Sequence, residues 1–212
     1  IPANGAAGFD HALTVEHPRL WNGREDPYRY QVDLEILADG QRVDHLTGYI
    51  GFRYYEVNYD QGFFLNGKSY PLRGVSRHQD WEDMGTALTE REHNIDFGLI
   101  YEMGANAIRL AHYPQAPYFY ELCDKYGIVV WAEIPFVNNI GGTGSYESPD
   151  ANRRAFFDVT KQQLVELIRQ QYNRPSICFW GLQNEVLDYK EAMPEFMAEL
   201  NDLAHKEDPT RL

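Results

Sequence analysis

Between Tyr172 and Glu185 the chain reads Tyr-Asn-Arg-Pro-Ser-Ile-Cys-Phe-Trp-Gly-Leu-Gln-Asn-Glu, and no other stretch narrows the choice of fold as far. Asn173 and Pro175 stop the helical pattern that precedes them. Ile177, Cys178, Phe179 and Trp180 then form an unbroken apolar run, the pattern of a strand buried on both faces. The run leads to an amide and a carboxylate, Asn184 and Glu185. Doubly buried strands belong to parallel sheets covered by helices. In such sheets the loops at the carboxyl ends surround a cleft.

From about residue 60 the chain repeats this design. Residues 63–65 and 69–72, joined by Asn66-Gly67, read as a hairpin, and Arg73-Gly74-Val75 continues toward His78. Thr89-Glu-Arg-Glu92 is a capping box opening a helix with apolar positions Ile95, Leu99 and Met103, closed by Gly104. A strand at 107–110, a helix at 118–126 stopped by Gly127, and a strand at 128–131 ending near Glu133 follow. Residues 138–149 read as a loop, 153–172 as a long amphipathic helix, and a last helix runs from near Pro194 to Glu207. Four strand-then-helix units predict a parallel sheet with helices outside it. They fill about 155 residues, short of the roughly 250 of an eight-unit barrel.

Residues 1–57 follow a different rule. Tyr28, Tyr30, Val32, Leu34 and Ile36 alternate with polar residues, which predicts a half-buried strand. Asp39-Gly40 is a two-residue hairpin turn, with return strands expected at 42–46 and 49–57. These strands are too few to close a sandwich, so they read as part of an all-β unit. Ile1 is not an initiator and no signal-peptide pattern follows it, which points to a start inside a longer protein and leaves its cellular address unreadable.

Hydrophobic residues at 43% and charged residues at 24% predict a packed core. A net charge of −13 without any basic run argues against nucleic acid and anionic membranes as partners. No apolar stretch approaches the roughly 20 residues of a membrane span. Cys123 and Cys178 both sit in apolar surroundings and read as small core residues. Aromatic residues make up 14% of the chain, which suits stacking on sugar faces, although composition alone favours ordinary packing.

Polar residues gather past the strand ends: Arg73 with His78, Arg109 with His112, Glu133, and Asn184 with Glu185. Together they predict a shared pocket. A carboxyl at 185 next to Trp180 would hold its proton toward neutral pH and serve as a general acid. Equally, Glu185 fits a first-turn helix carboxylate with Asn184 as its cap. Arg109 can hold a carboxylate through a bidentate fork, and His112 can donate to a hydroxyl or be purely structural. His78, His112 and Glu133 make a conceivable zinc set, disfavoured because no local His-x-x-x-His pair exists.

Two of these stretches resemble the signatures of glycoside hydrolase family 2, which holds β-galactosidases, β-glucuronidases and β-mannosidases. The first is Asn106-Ala-Ile-Arg109-Leu-Ala-His112-Tyr113-Pro114 with Asp124-Lys-Tyr-Gly127 and Ile-Val-Val-Trp131; the second is Asn173 to Glu185. Arg73-Gly74-Val75-Ser-Arg-His78 resembles the family's first barrel strand. Leu-Trp21 and Gly51-Phe-Arg53 resemble the end of its immunoglobulin-like sandwich.

The resemblance implies the first half of a (β/α)8 barrel at 58–212, truncated after the fourth βα unit. The C-terminal part of an immunoglobulin-like β-sandwich precedes it at 1–57. It implies Glu185 as acid/base, Asn184 on the sugar 2-hydroxyl, Arg109 beside the nucleophile, His78 and His112 lining the subsite, and Arg73 as a wall residue. It implies no cofactor and, because the loop after Glu133 lacks the magnesium ligands of large bacterial β-galactosidases, no metal there. The nucleophile would lie past Leu212, leaving this segment inactive alone. Leu110 departs from the family pattern, where a small or polar residue is usual. Residues 77–83, Arg-His-Gln-Asp-Trp-Glu-Asp, look more like β-galactosidases, which implies a β-galactoside substrate and a retaining exo-glycosidase. A glucuronidase or mannosidase, a non-catalytic carbohydrate-binding module and a metal-dependent hydrolase are the rival readings. A homo-oligomeric parent stays open.

Overall fold

The computed structural model describes residues 5, 6, 8, 12–137, 150–186 and 193–211. The expected loop at 138–149 therefore lies outside the described residues. Strands β1 (Tyr30–Ala38) and β2 (Gln41–Ile50) form an antiparallel ribbon through Asp39-Gly40, whose φ values of 52° and 77° are those the turn requires. The return is one long strand, so Tyr49 belongs to β2 and β3 begins only at Tyr55 (Tyr55–Asn58).

The expected half-burial of β1 does not occur: Val32, Leu34 and Ile36 are 40%, 38% and 42% exposed. Leu34 is paired with Leu46, and their face looks across an open cavity of about 460 Å³ toward Glu121, Gln170 and Arg174. Alternation marked the face correctly; among the described residues nothing fills the space in front of it.

β3, β4 (Gly62–Leu65) and β5 (Lys68–Ser69) make a small antiparallel sheet. It packs Phe63 and Leu65 with Trp21 against Val129 and Cys178, at the amino ends of the next sheet. That sheet is parallel, in the order β6 (Gly74–Arg77), β7 (Ala107–Leu110), β8 (Val129–Glu133), β9 (Ile177–Gly181). Helices α1 (Glu90–Glu102), α2 (Pro117–Tyr126), α3 (Asp150–Gln171) and α4 (Met193–Glu207) alternate with the strands. The capping box forms as read: Glu92 accepts from the Thr89 amide at 3.0 Å, and the Thr89 side chain caps the helix start. Gly104 and Gly127 end α1 and α2 at positive φ.

Each strand sends one row of side chains to the helices. Ile108, Leu110, Val130, Ala132, Ile177 and Trp180 pack there with Phe119, Leu164, Ile168 and Leu200. Leu110 is fully buried in this layer, so its bulk is spent away from the Arg109 face. The other row, with Arg109, Trp131 and Phe179, lines the concave face. The β8–β9 register shifts at Val130/Trp131, which brings Trp131 opposite Phe179 in a stacked pair with centroids 5.5 Å apart. This is the first half of a (β/α)8 barrel preceded by part of an immunoglobulin-like sandwich.

Both cysteines are buried and unbridged, and burial raises the Cys178 thiol to about 11, as befits inert packing groups. Among the described residues no helix is long and apolar enough to cross a membrane.

Candidate active site

In a parallel sheet the carboxyl ends of all strands share one edge. Arg109 reaches that edge from β7, opposite Ser76 on one side and Trp131 on the other. Glu133 stands two residues beyond Trp131, hence on the same face. Its partner on β9 is Gly181. A Cβ at 181 would come within 2.2 Å of Trp131 Nε1 and 2.5 Å of Glu133 Cγ, so the bare backbone there makes the room both side chains occupy.

Glu133 is the hub. Its side chain is 1% exposed, and both oxygens are engaged. Arg109 Nε donates to Oε1 at 2.5 Å, and His112 Nδ1 lies 2.8 Å from Oε2. A buried carboxylate is tolerable only with such charge-assisted partners. The same guanidinium reaches β9: Arg109 Nη2 donates to Asn184 Oδ1 at 2.8 Å. The Asn184 amide donates to Phe136 O at 2.8 Å, extending the β8–β9 pairing past the strands.

His78 follows β6, and its ring stands edge-on to His112 with centroids 5.1 Å apart. Its loop is tied to the next one, since the Gln79 amide donates to Tyr113 Oη at 2.9 Å and Gln79 Oε1 accepts from the Ala116 amide at 2.7 Å. The preceding Arg77 turns the other way, to Asp96 and Gln115 beneath α1.

The cluster thus joins His78, Arg109, His112, Glu133 and Asn184. Glu185 follows Asn184 directly, exposed and at φ 50°, a left-handed conformation uncommon for a residue with a side chain. Two expectations about it change. Trp180 packs toward the helices, with its indole N–H on Asp208 Oδ2 at 3.0 Å, so it does not supply an apolar wall for Glu185. Glu185 at φ 50° does not begin a helix, so Asn184 is not its cap; the Asn184 side-chain oxygen accepts from Arg109 instead.

Arg73 is not brought to the site. It precedes Gly74, the residue level with Ala107, and its amide donates to Asn106 Oδ1. That is three residues before the level of Arg109, about 10 Å toward the opposite end of the sheet. The metal rival finds no support in the geometry: Glu133 is bonded to Arg109 and His112, and among the described residues no group of three or more His, Cys, Asp or Glu could hold an ion. Glu133 as the centre of the network was missed. The available signal was the opposite charges of Arg109 and Glu133 at the ends of successive strands.

The family model described as "Glycosyl hydrolases family 2, TIM barrel domain" matches residues 56–212, and "Glycosyl hydrolases family 2" matches residues 3–53. The chain belongs to glycosyl hydrolase family 2. A protein from Bacteroides fragilis named Beta-glucuronidase is 54% identical over 200 residues, 94% of this chain and 28% of that protein. The solved structure of a putative beta-galactosidase from Bacteroides fragilis aligns with a TM-score of 0.81 at 44% identity, covering 92% of this chain and 27% of that one. A Bacteroides uniformis beta-glucuronidase 2 covalently bound to cyclophellitol-6-carboxylate aziridine aligns with a TM-score of 0.82 at 38% identity, covering 95% and 25%. The chain therefore spans about a quarter of the length of these family 2 proteins, and the cluster lies at the carboxyl edge of its barrel half, where barrel enzymes place their chemistry.

Proposed function

We propose that this chain carries the acid/base half of a retaining exo-β-glycosidase site, and that β-D-glucuronides are its substrates in preference to the β-D-galactosides expected from residues 77–83. The observation that carries the reading is the bond between Arg109 and Asn184, which ties the Asn184-Glu185 pair to the cluster at the carboxyl ends of the strands. Glu185 protonates the glycosidic oxygen while a carboxylate from a strand outside these residues attacks the anomeric carbon. Glu185, now deprotonated, activates the water that releases the sugar. Glu133 is assigned no nucleophilic role: it sits on the third barrel strand and bridges Arg109 and His112. Asn184, His112 and His78 meet the sugar hydroxyls.

The preference for glucuronides rests on the 54% identical relative of that name and on a second relative holding a 6-carboxylate sugar mimic covalently. Arg109 is committed to Glu133 and Asn184, so a glucuronide carboxylate would find its cation elsewhere in the barrel. A protein comprising this segment and a complete barrel is assayed on aryl β-glucuronide, β-galactoside and β-mannoside. The highest kcat/KM is expected on the glucuronide; a galactoside preference would overturn that assignment. Glu185→Gln should depress hydrolysis of poor leaving groups far more than of activated aryl glycosides. Equal, wild-type rates on both would remove Glu185 from the mechanism.

A further inference from the structure

Arg109 has five N–H donors, no acceptor, and a guanidinium that keeps its proton in proteins. Its direction of donation is fixed, so it sets the polarity of what surrounds it. Nε donates to Glu133 Oε1 and Nη2 to Asn184 Oδ1. Because Oδ1 accepts from Arg109, the amide is held in one orientation, with Nδ2 as the donor it offers to a ligand.

Glu133 Oε2 then faces His112 Nδ1 at 2.8 Å. A carboxylate oxygen against a bare ring nitrogen would oppose two lone pairs, so Nδ1 carries the hydrogen. Arg109 Nη2, whose other hydrogen goes to Asn184, also lies 3.2 Å from Nδ1 and competes for it as a donor; the shorter contact with the Glu133 carboxylate, at 2.8 Å, decides the tautomer. With the proton on Nδ1, Nε2 of the neutral imidazole is an acceptor. Among the described residues neither Nε2 of His112 nor Nδ2 of Asn184 has a hydrogen-bond partner in the protein.

We propose that Glu133 is a positioning residue that fixes a matched pair at the sugar subsite, an acceptor on His112 and a donor on Asn184, for two hydroxyls of one ring. This deepens the glycosidase reading and rests on it. Glu133 touches no substrate itself. It acts by holding His112 in one tautomer directly and Asn184 in one orientation through Arg109.

Glu133→Gln tests the inference with nearly unchanged shape. Arg109 Nε must keep an acceptor, so the new amide oxygen stays on it and the amide nitrogen faces His112. Nδ1 must then accept, and the imidazole proton moves to Nε2, which reverses the polarity offered to the sugar. The readout is neutron diffraction from deuterium-exchanged crystals of the protein with its complete barrel, grown at alkaline pH. Wild type should show deuterium on Nδ1 and none on Nε2, and Glu133→Gln the reverse. kcat/KM on the preferred aryl glycoside should fall about tenfold or more, the scale of one mispaired buried hydrogen bond. Deuterium on Nε2 in wild type overturns the inference whether or not the variant folds. So does a variant within about twofold of wild-type kcat/KM, the precision of such a comparison. The diffraction result is independent of which glycoside is cleaved, so it fails separately from the substrate reading.

Discussion

Gly127→Ala measures how tightly the two parts of the chain are locked. Gly127 ends α2 at φ 79°, with its amide on Cys123 O at 2.9 Å. A Cβ there would meet the Gly23 carbonyl carbon and oxygen at 2.2 Å and the Arg24 nitrogen at 2.5 Å. The left-handed conformation costs alanine about 1 kcal/mol. The contact costs about another 1–3 kcal/mol, because the partner is backbone and cannot turn to another rotamer. Gly104 supplies the control: it ends α1 at φ 92°, and a Cβ on it would meet nothing within 4 Å. Gly104→Ala should cost only the conformational part. Urea unfolding with an unchanged slope should therefore show Gly127→Ala less stable than Gly104→Ala by about 1–3 kcal/mol. Equal losses would mean that residues 23–24 do not press on the end of α2, and that the packing between the two units is looser than described.

Two further perturbations probe other features. Gly181→Ala should displace Glu133 or Trp131, whose atoms already fill the place of the new Cβ, and reduce kcat/KM between about tenfold and a hundredfold; wild-type kinetics would show that Glu133 has room to spare. Asp208 is subject to burial, which pushes its carboxyl up, but hydrogen bonds from Thr210, Arg211 and Trp180 outweigh it and leave the pKa below the ordinary value. That stabilisation is complete above the unfolded value of about 3.9 and is lost as pH falls through the lower folded value. Unfolding free energy followed from pH 5 to pH 2 should drop in wild type below about pH 4, and Asp208→Asn should lack that component; parallel curves would refute it.

The barrel half was legible because its signals are local. Thr89 and Glu92 satisfy one another across three residues, Gly104 and Gly127 mark helix ends by backbone conformation, and Ile177 to Trp180 is apolar because both faces of β9 are covered. The site was legible only by strand end. Arg109, His112 and Asn184 converge as read, but Arg73 was misplaced because residues on either side of a four-residue strand look alike until register separates its ends. The role of Glu133 needs the pairing of Arg109 with Trp131 and of Glu133 with Gly181, which is long-range information. Exposure of β1 was equally hidden, since alternation names an apolar face without naming its cover.

The seam between the sandwich and the barrel constrains any attempt to excise the barrel alone. Arg53 donates to the carbonyls of Pro175 at 3.1 Å and Ile177 at 2.6 Å, Tyr55 Oη to that of Cys178 at 2.6 Å, and fully buried Trp21 to that of Asp124 at 2.8 Å. A cut at residue 57 would remove these donors, leave the carbonyls without them, and open an indole-sized void beneath the strand that leads to Asn184. What reads as a domain border is thus the foundation of the strand edge that carries the Glu133 cluster, and trimming the chain there would loosen the cleft from below.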